Sequence, residues 1–145
     1  EKGMAYQNTL LDLVDEDTNA FNKIMDAFGL PKASDEEQTA RKQAIQDATK
    51  YAIQIPFRVM ETAYNSMEVM KAMAKFGNPN SVTDAGVGAL CARTAVLGAF
   101  MNVKINAGDL EDKDFVSDIL AKGNDIQEKT MALETEIRAI IESKI

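Results

Sequence analysis

The sequence predicts an all-α protein: an antiparallel helical bundle with a buried central helix rich in alanine and glycine. Apolar residues recur at three- and four-residue spacing along the whole chain, and the two-residue alternation of strands is absent. The stretches between these segments are short, which favours antiparallel neighbours within one domain over residues 1–145. A chain of 145 residues is long enough to bury one core.

The first predicted helix runs roughly from Met4 to Phe28 and ends at a glycine followed two residues later by a proline. An acid interrupts its apolar stripe, which reads Leu10, Val14, Asp17, Phe21, Ile24 and Phe28. An inward carboxylate must be paired, hydrogen-bonded or protonated. Asp17 is therefore either a structural partner in a salt bridge or at a helix terminus, or a carboxyl facing a cleft, with Arg93 and Asn102 as candidate neighbours.

A capping box, Ser34 with Glu37 three residues later, predicts the start of the second helix, which extends to about Ile55. Pro56 lacks a backbone N–H and crowds the preceding turn, so a break or kink is expected there. A third helical segment follows and ends at Gly77. The last helix begins near Asp112 and reaches the end of the chain.

The central helix is predicted over Val82–Asn106, with Ser81 as its N-cap. Two stripes of mostly small residues run along it: Gly88, Ala92, Ala95, Ala99, Asn102, Asn106, and Val87, Cys91, Thr94, Gly98, Met101, Ile105. A helix that is apolar on nearly every side is expected to be buried, with Cys91 as a small core residue. A membrane span is the rival interpretation, but Arg93 and the weak hydrophobicity of alanine and glycine disfavour it.

Polar residues mark both ends of this helix. Asp84 completes a second capping box with Ser81, so its expected role is to accept backbone N–H groups and favour the helix dipole. Asn102 and Asn106 lie near the other end. A buried amide without partners costs about 1–3 kcal/mol, so each must either bond to a neighbouring helix end or line a polar cavity.

Composition excludes several classes of function. Sixteen basic against twenty-three acidic residues give a net charge of −7, which argues against nucleic acid as a partner. The chain has no histidine and one cysteine, which excludes histidine-based triads and His/Cys zinc sites, and no metal site is predicted. Any acid–base chemistry must come from a carboxylate, a lysine or a tyrosine.

Three motifs occur in order: LVDEDTNAFNKIMDAFGLPK, GNPNSVTDAGVGAL and, after an alanine-rich helix, NVKIN. Together they resemble the cyclodeaminase/cyclohydrolase family of folate enzymes. The resemblance implies a cytoplasmic helical bundle that forms homodimers or larger assemblies. Members begin some tens of residues earlier, with a Gly-rich loop of the PGGGS type and another helix that contribute to the folate site, and this sequence contains neither.

The resemblance also implies an activity and a site. Asp17 matches the second Asp of the motif DEDxxAF and is thus the expected catalytic acid, while Asp84, Asn102, Asn106 and Arg93 are expected to bind substrate. The substrate would be a tetrahydrofolate derivative, polyglutamylated forms included, and no cofactor would be needed. The expected activity is formimidoyltetrahydrofolate cyclodeaminase; the alternatives are methenyltetrahydrofolate cyclohydrolase and a non-enzymatic helical interaction protein.

Overall fold

The computed structural model describes all 145 residues and consists of four α-helices and one turn of 3-10 helix. The elements, in chain order, are α1 Lys2–Gly29, α2 Asp35–Phe76, the 3-10 turn Pro79–Ser81, α3 Val82–Ala107 and α4 Lys113–Glu142. The prediction of an all-α bundle is confirmed.

Side-chain contacts fix the direction of each helix. Glu16 of α1 pairs with Arg58 of α2, and Lys2 pairs with Glu68, so α1 and α2 are antiparallel. The Asn106 side chain near the end of α3 bonds to α2, whereas Gly88 near the start of α3 faces Met70, so α3 is also antiparallel to α2. As a result α1 and α3 run in the same direction along α2.

The helix in contact with all the others is α2, not α3. Ile53 and Met60 of α2 pack with Phe100 of α3 and Ile119 of α4 in the largest buried cluster. α1 touches only α2, through a small cluster that contains Leu13. The prediction that the Val82–Asn106 helix lies at the centre of the bundle was therefore wrong, because α2 lies there.

The inward face of α1 differs from the predicted stripe. Leu13, Ala20 and Ala27 are buried against α2, whereas Val14 and Phe21 are 63% and 61% exposed. The small alanines allow α1 to approach α2 closely, which rotates the larger apolar side chains outward. Asp17 is consequently exposed, and the prediction that it lies on a buried stripe was wrong.

α3 buries one face and exposes the other. Ala89, Val96 and Val103 are fully buried, but the stripe that includes Cys91, Met101 and Ile105 faces outward, so the predictions of all-round burial and of a core cysteine were wrong. By length and composition the stretch Pro79–Ala107 could cross a membrane, and 39% of its apolar window is buried. Core helices of soluble proteins meet the same criterion.

The helix starts use different caps. The Ser34 hydroxyl accepts the Glu37 N–H at 3.2 Å and the Glu37 carboxylate accepts the Ser34 N–H, so the first capping box is confirmed. The second capping box was wrong: Ser81 is the N-cap residue of α3, as predicted, but it also ends the 3-10 turn and its side chain makes no cap hydrogen bond. At α4 the Asp112 carboxylate accepts bonds from Lys50 and from a backbone N–H of the first turn, which lower its pKa.

One close approach and one buried ion cluster fix α4 against α3. Gly123 packs directly under the fully buried Phe100 ring, and a Cβ at that position would overlap the ring. About three turns further along α4, the Glu134 carboxylate is only 1% exposed and binds Arg93 of α3 at 3.3 Å and Arg138 of its own helix. A buried carboxylate with two guanidinium partners specifies which turn of α4 faces which turn of α3.

Replacing Gly123 with alanine tests this packing. Although alanine favours a helix interior, the overlap with Phe100 should lower the free energy of unfolding by about 1–3 kcal/mol. Gly98 of α3 is the matched control, because a Cβ there meets no atom within 4 Å. Gly98→Ala should raise the free energy of unfolding by up to about 1 kcal/mol. Urea unfolding measures both, and a neutral Gly123→Ala would contradict the packing.

Candidate active site

A trough lies between α1 and α3, and α2 forms its floor. Its central cavity, of about 490 Å³, receives Asp17 from α1 and Asn102 from α3, with Pro56 and Val59 below them. The other lining residues are Leu10, Leu13, Val14, Thr18, Thr94, Ala95, Gly98 and Ala99. Apolar walls with a few convergent polar groups are typical of a binding site for a small organic molecule.

A smaller cavity of about 200 Å³ continues the trough toward the end of α3. Asp17 and Asn102 line this cavity too, and Asn106 joins them. The fold therefore brings together the predicted acid and both predicted amides, one from α1 and two from α3. One carboxylate beside two amides gives a place where a polar, hydrogen-bonding part of a ligand can lie against otherwise apolar walls.

The floor of the trough contains a proline in the middle of a helix. α2 continues without interruption through the buried Pro56, so of the predicted break or kink the break was wrong. Pro56 cannot donate to the carbonyl of Ala52, four residues earlier. The Asn106 side-chain amide donates to that carbonyl instead, at 3.1 Å. Asn106 therefore lines a polar cavity, as one alternative predicted, and it bonds to the middle of a neighbouring helix, where the other alternative had predicted a helix end.

The other two predicted binding residues lie elsewhere. Asp84 is exposed in the first turn of α3, ten residues before the nearest trough residue, Thr94, which is about 15 Å along a helix. Arg93 turns toward α4 and pairs with the buried Glu134, and its Nε is buried without a partner. Arg93 is therefore not a neighbour of Asp17, and its place is the α3–α4 interface.

At its other end the trough becomes more apolar. A cavity of about 440 Å³ near the start of α1 is lined by Tyr6, Leu10 and Val14, with Val69 and Met70 of α2 opposite. Leu10 and Val14 also line the central cavity, so the two spaces adjoin. This wall suits the flat face of an aromatic ring.

The rim of the trough is apolar and exposed. Val14 and Phe21 project from α1, and Met101 and Ile105 are 68% and 72% exposed on α3. Exposed apolar surface of this kind is common at sites where another molecule binds. The homodimer or larger assembly expected from the sequence stays a prediction.

Sequence reasoning missed several residues of the site. Gly98 leaves open space in the α3 wall, and Thr18 and Thr94 turn their hydroxyls to backbone carbonyls of their own helices. Pro56 gave a signal that predicts only a break or a kink when it is taken by itself. A proline within a helical pattern, together with an asparagine on a neighbouring helix, could have indicated a carbonyl that needs a donor.

The structure is thus an all-helical protein with a carboxylate and two amides in an apolar trough. The family model described as Formiminotransferase-cyclodeaminase matches residues 1–125. The chain belongs to this family, and the resemblance seen in its motifs is confirmed.

Relatives of two kinds match the chain. A methenyltetrahydrofolate cyclohydrolase of Methylorubrum extorquens is 33% identical over the whole chain, which spans 70% of that protein. The formimidoyltransferase-cyclodeaminase of Gallus gallus is 37% identical over 106 residues, 73% of this chain and 20% of that protein. The fold is shared with formiminotetrahydrofolate cyclodeaminase of Thermotoga maritima: the TM-score is 0.83 at 23% identity, over 97% of this chain and 66% of the other.

The pairing of Asn106 with Pro56 can be tested by combining substitutions. Asn106→Ala removes the donor to the Ala52 carbonyl and should lower the free energy of unfolding by about 1–3 kcal/mol. In a Pro56→Ala background the new backbone N–H at position 56 can donate instead, so the same substitution should cost clearly less. Thermal unfolding of the four proteins gives the coupling energy. Equal costs in both backgrounds would contradict the role given to Asn106.

Proposed function

We propose that the chain acts on the one-carbon bridge between N5 and N10 of a tetrahydrofolate, as a formimidoyltetrahydrofolate cyclodeaminase. The observation that carries the proposal is the position of Asp17 opposite Asn102 in the trough of a protein of this family. The names of the relatives support a folate substrate. The trough offers apolar walls for the ring system and a polar centre for the reacting atoms.

The cyclodeaminase reaction adds N10 to the formimidoyl carbon and then eliminates ammonia from the same carbon, with a proton transfer between the two steps. N10 attacks the carbon of the protonated formimidoyl group: the N10–C bond forms, the C=N π electrons move to the nitrogen and make it an amine, and N10 carries an extra proton. Asp17 accepts that proton and then donates it to the amine on the same carbon. The C–N bond to the amine breaks, and ammonia leaves 5,10-methenyltetrahydrofolate. A carboxylate that first accepts and then donates can work from the exposed position that Asp17 occupies, so burial is not needed.

The amides have a different task in this proposal. Asn102 can donate to or accept from the groups around the reacting carbon, which fixes the carbon beside Asp17. The Nδ2 of Asn106 is already bonded to the Ala52 carbonyl, and its side-chain oxygen is the group left for a ligand. The carbon stays at the formate oxidation level, so the chemistry requires no electron carrier.

Cyclohydrolase is the second candidate, and a specific observation favours it. The match to the cyclohydrolase of Methylorubrum extorquens covers the entire chain. In that reaction water adds to the methenyl carbon, and Asp17 accepts the proton that water loses. The hydroxyl on that carbon then loses its proton and becomes the formyl C=O as the N5–C bond breaks, N5 takes up a proton, and 10-formyltetrahydrofolate leaves. Both reactions use one carboxylate next to the same carbon.

The substitution Asp17→Asn tests the proposal. Asparagine keeps the size and some hydrogen bonding but cannot carry the proton, so turnover should fall by about 10² or more, while folate affinity stays within a few-fold. Since Asp17 is exposed, the melting temperature should change little. Formation or loss of the methenyl chromophore, followed separately with formimidoyl- and methenyltetrahydrofolate, also distinguishes the two candidate reactions.

Asp12→Asn is the matched control, because Asp12 is an exposed aspartate of α1 that does not line the trough. Its turnover should equal that of the unsubstituted protein. Unchanged turnover in Asp17→Asn would end the catalytic assignment. Formation of the methenyl signal from formimidoyltetrahydrofolate would select cyclodeaminase, and loss of the signal from methenyltetrahydrofolate would select cyclohydrolase.

A further inference from the structure

Gly98 lies in the interior of α3, where the fold does not require a glycine. After proline, glycine is the least favourable residue inside a helix. A positive φ or a tight contact would explain it, but the φ of Gly98 is not positive, and no atom lies within 4 Å of the place where a Cβ would be. For folding alone, alanine would therefore be the better residue at this position.

Other helix glycines of this chain are explained by packing. A Cβ at Gly86 would lie 2.7 Å from the Ile141 side chain, and a Cβ at Gly123 would overlap the ring of Phe100. At Gly98 the open space belongs instead to the central cavity of the trough. A residue that weakens its own helix at a site, without a packing reason, is expected to serve the site.

Gly98 lies midway between two polar side chains on the same wall of the trough. Thr94 comes four residues before it and Asn102 four residues after it, so each is one helical turn away, about 6 Å along α3. All three line the central cavity, and Leu10 and Val14 of α1 line it from the other side. Between its two polar ends this slot has bare backbone on one side and aliphatic side chains on the other, which suits the two faces of a flat ring.

The hydrogen bond of Thr94 determines which ligand group can bind there. Its hydroxyl donates to the Leu90 carbonyl of its own helix, at 3.0 Å, so the oxygen is left to accept a hydrogen bond from a ligand. The pyrimidine half of a tetrahydropterin carries several N–H groups, whereas its N5 lies on the other half. A pterin in the slot therefore directs its pyrimidine half toward Thr94 and N5 toward Asn102.

We propose that Gly98 is a specificity-determining residue: its missing side chain lets the pterin ring lie directly against the α3 backbone. The inference rests on the proposed function. A Cβ at position 98 would project about 1.5 Å into the space of the ring. It would hold the ring off the backbone and move the one-carbon unit away from its place beside Asp17, and displacements of that size lower the rate of reaction.

Gly98→Ala tests the proposal, because its expected effects on stability and on binding have opposite signs. The urea midpoint should rise, as a helix-favouring substitution predicts. Affinity for 5-formyltetrahydrofolate and for 6-methyltetrahydropterin, measured by calorimetry, should fall about tenfold or more, and kcat/KM should fall with it. Thr94→Val, which removes the acceptor and keeps the shape, should weaken binding of both ligands about fivefold.

Gly88→Ala is the matched control on the same helix. Its Cβ would make an ordinary contact with Met70, at 3.5 Å, and Gly88 lines none of the three cavities of the trough. This variant should keep the affinity of the unsubstituted protein.

The unsubstituted protein separates this proposal from the proposed function. If it turns over a folate and Gly98→Ala binds both ligands equally well, Gly98 does not determine specificity, although the proposed function stands. Unchanged affinity in Thr94→Val would overturn the orientation of the ring. If the unsubstituted protein turns over neither formimidoyl- nor methenyltetrahydrofolate, the proposed function fails and the role of Gly98 fails with it.

Discussion

The hydrogen bond from the Asn106 side chain to the Ala52 carbonyl allows a 42-residue α2 to pass through a buried proline. Without that donor the carbonyl would lie unpaired inside the bundle, at a cost of about 1–3 kcal/mol. The same bond ties the end of α3 to the middle of α2. Because α2 forms the whole floor of the trough, a break at Pro56 would divide the site at its reacting centre.

The trough exists because α1 and α3 each contact α2 but not each other. Small residues set the width of the trough. Alanines bring α1 close to α2, and Gly98, which has no side chain, leaves open space at the α3 wall. On its far side α3 is fixed by Phe100 over Gly123 and by Arg93 on the buried Glu134. The mutually packed helices α2, α3 and α4 thus present Asn102 and Asn106, while α1 carries Asp17 and packs against α2 alone.

Periodicity predicted the helices, and the motifs predicted the family, because both are local properties of the sequence. Which side of a helix faces inward depends on its neighbours. In α1 the face with the alanines is buried, whereas the face with Val14 and Phe21 is exposed. A hydropathy pattern does not predict this, because valine and phenylalanine are more hydrophobic than alanine. Arg93 shows the same limit: its partner, Glu134, is 41 residues away on α4, and spacing along α3 could not reveal it.

The central claim is that one trough orients the folate, with the one-carbon unit at Asp17. The most direct measurement is a crystal structure of the chain with 5-formyltetrahydrofolate, whose formyl oxygen replaces the imino nitrogen of the formimidoyl group. The account predicts the formyl carbon between Asp17 and Asn102, with the pterin beside Leu10 and Val14. Folate bound on the α3–α4 face near Arg93, with Asp17 uninvolved, would contradict it.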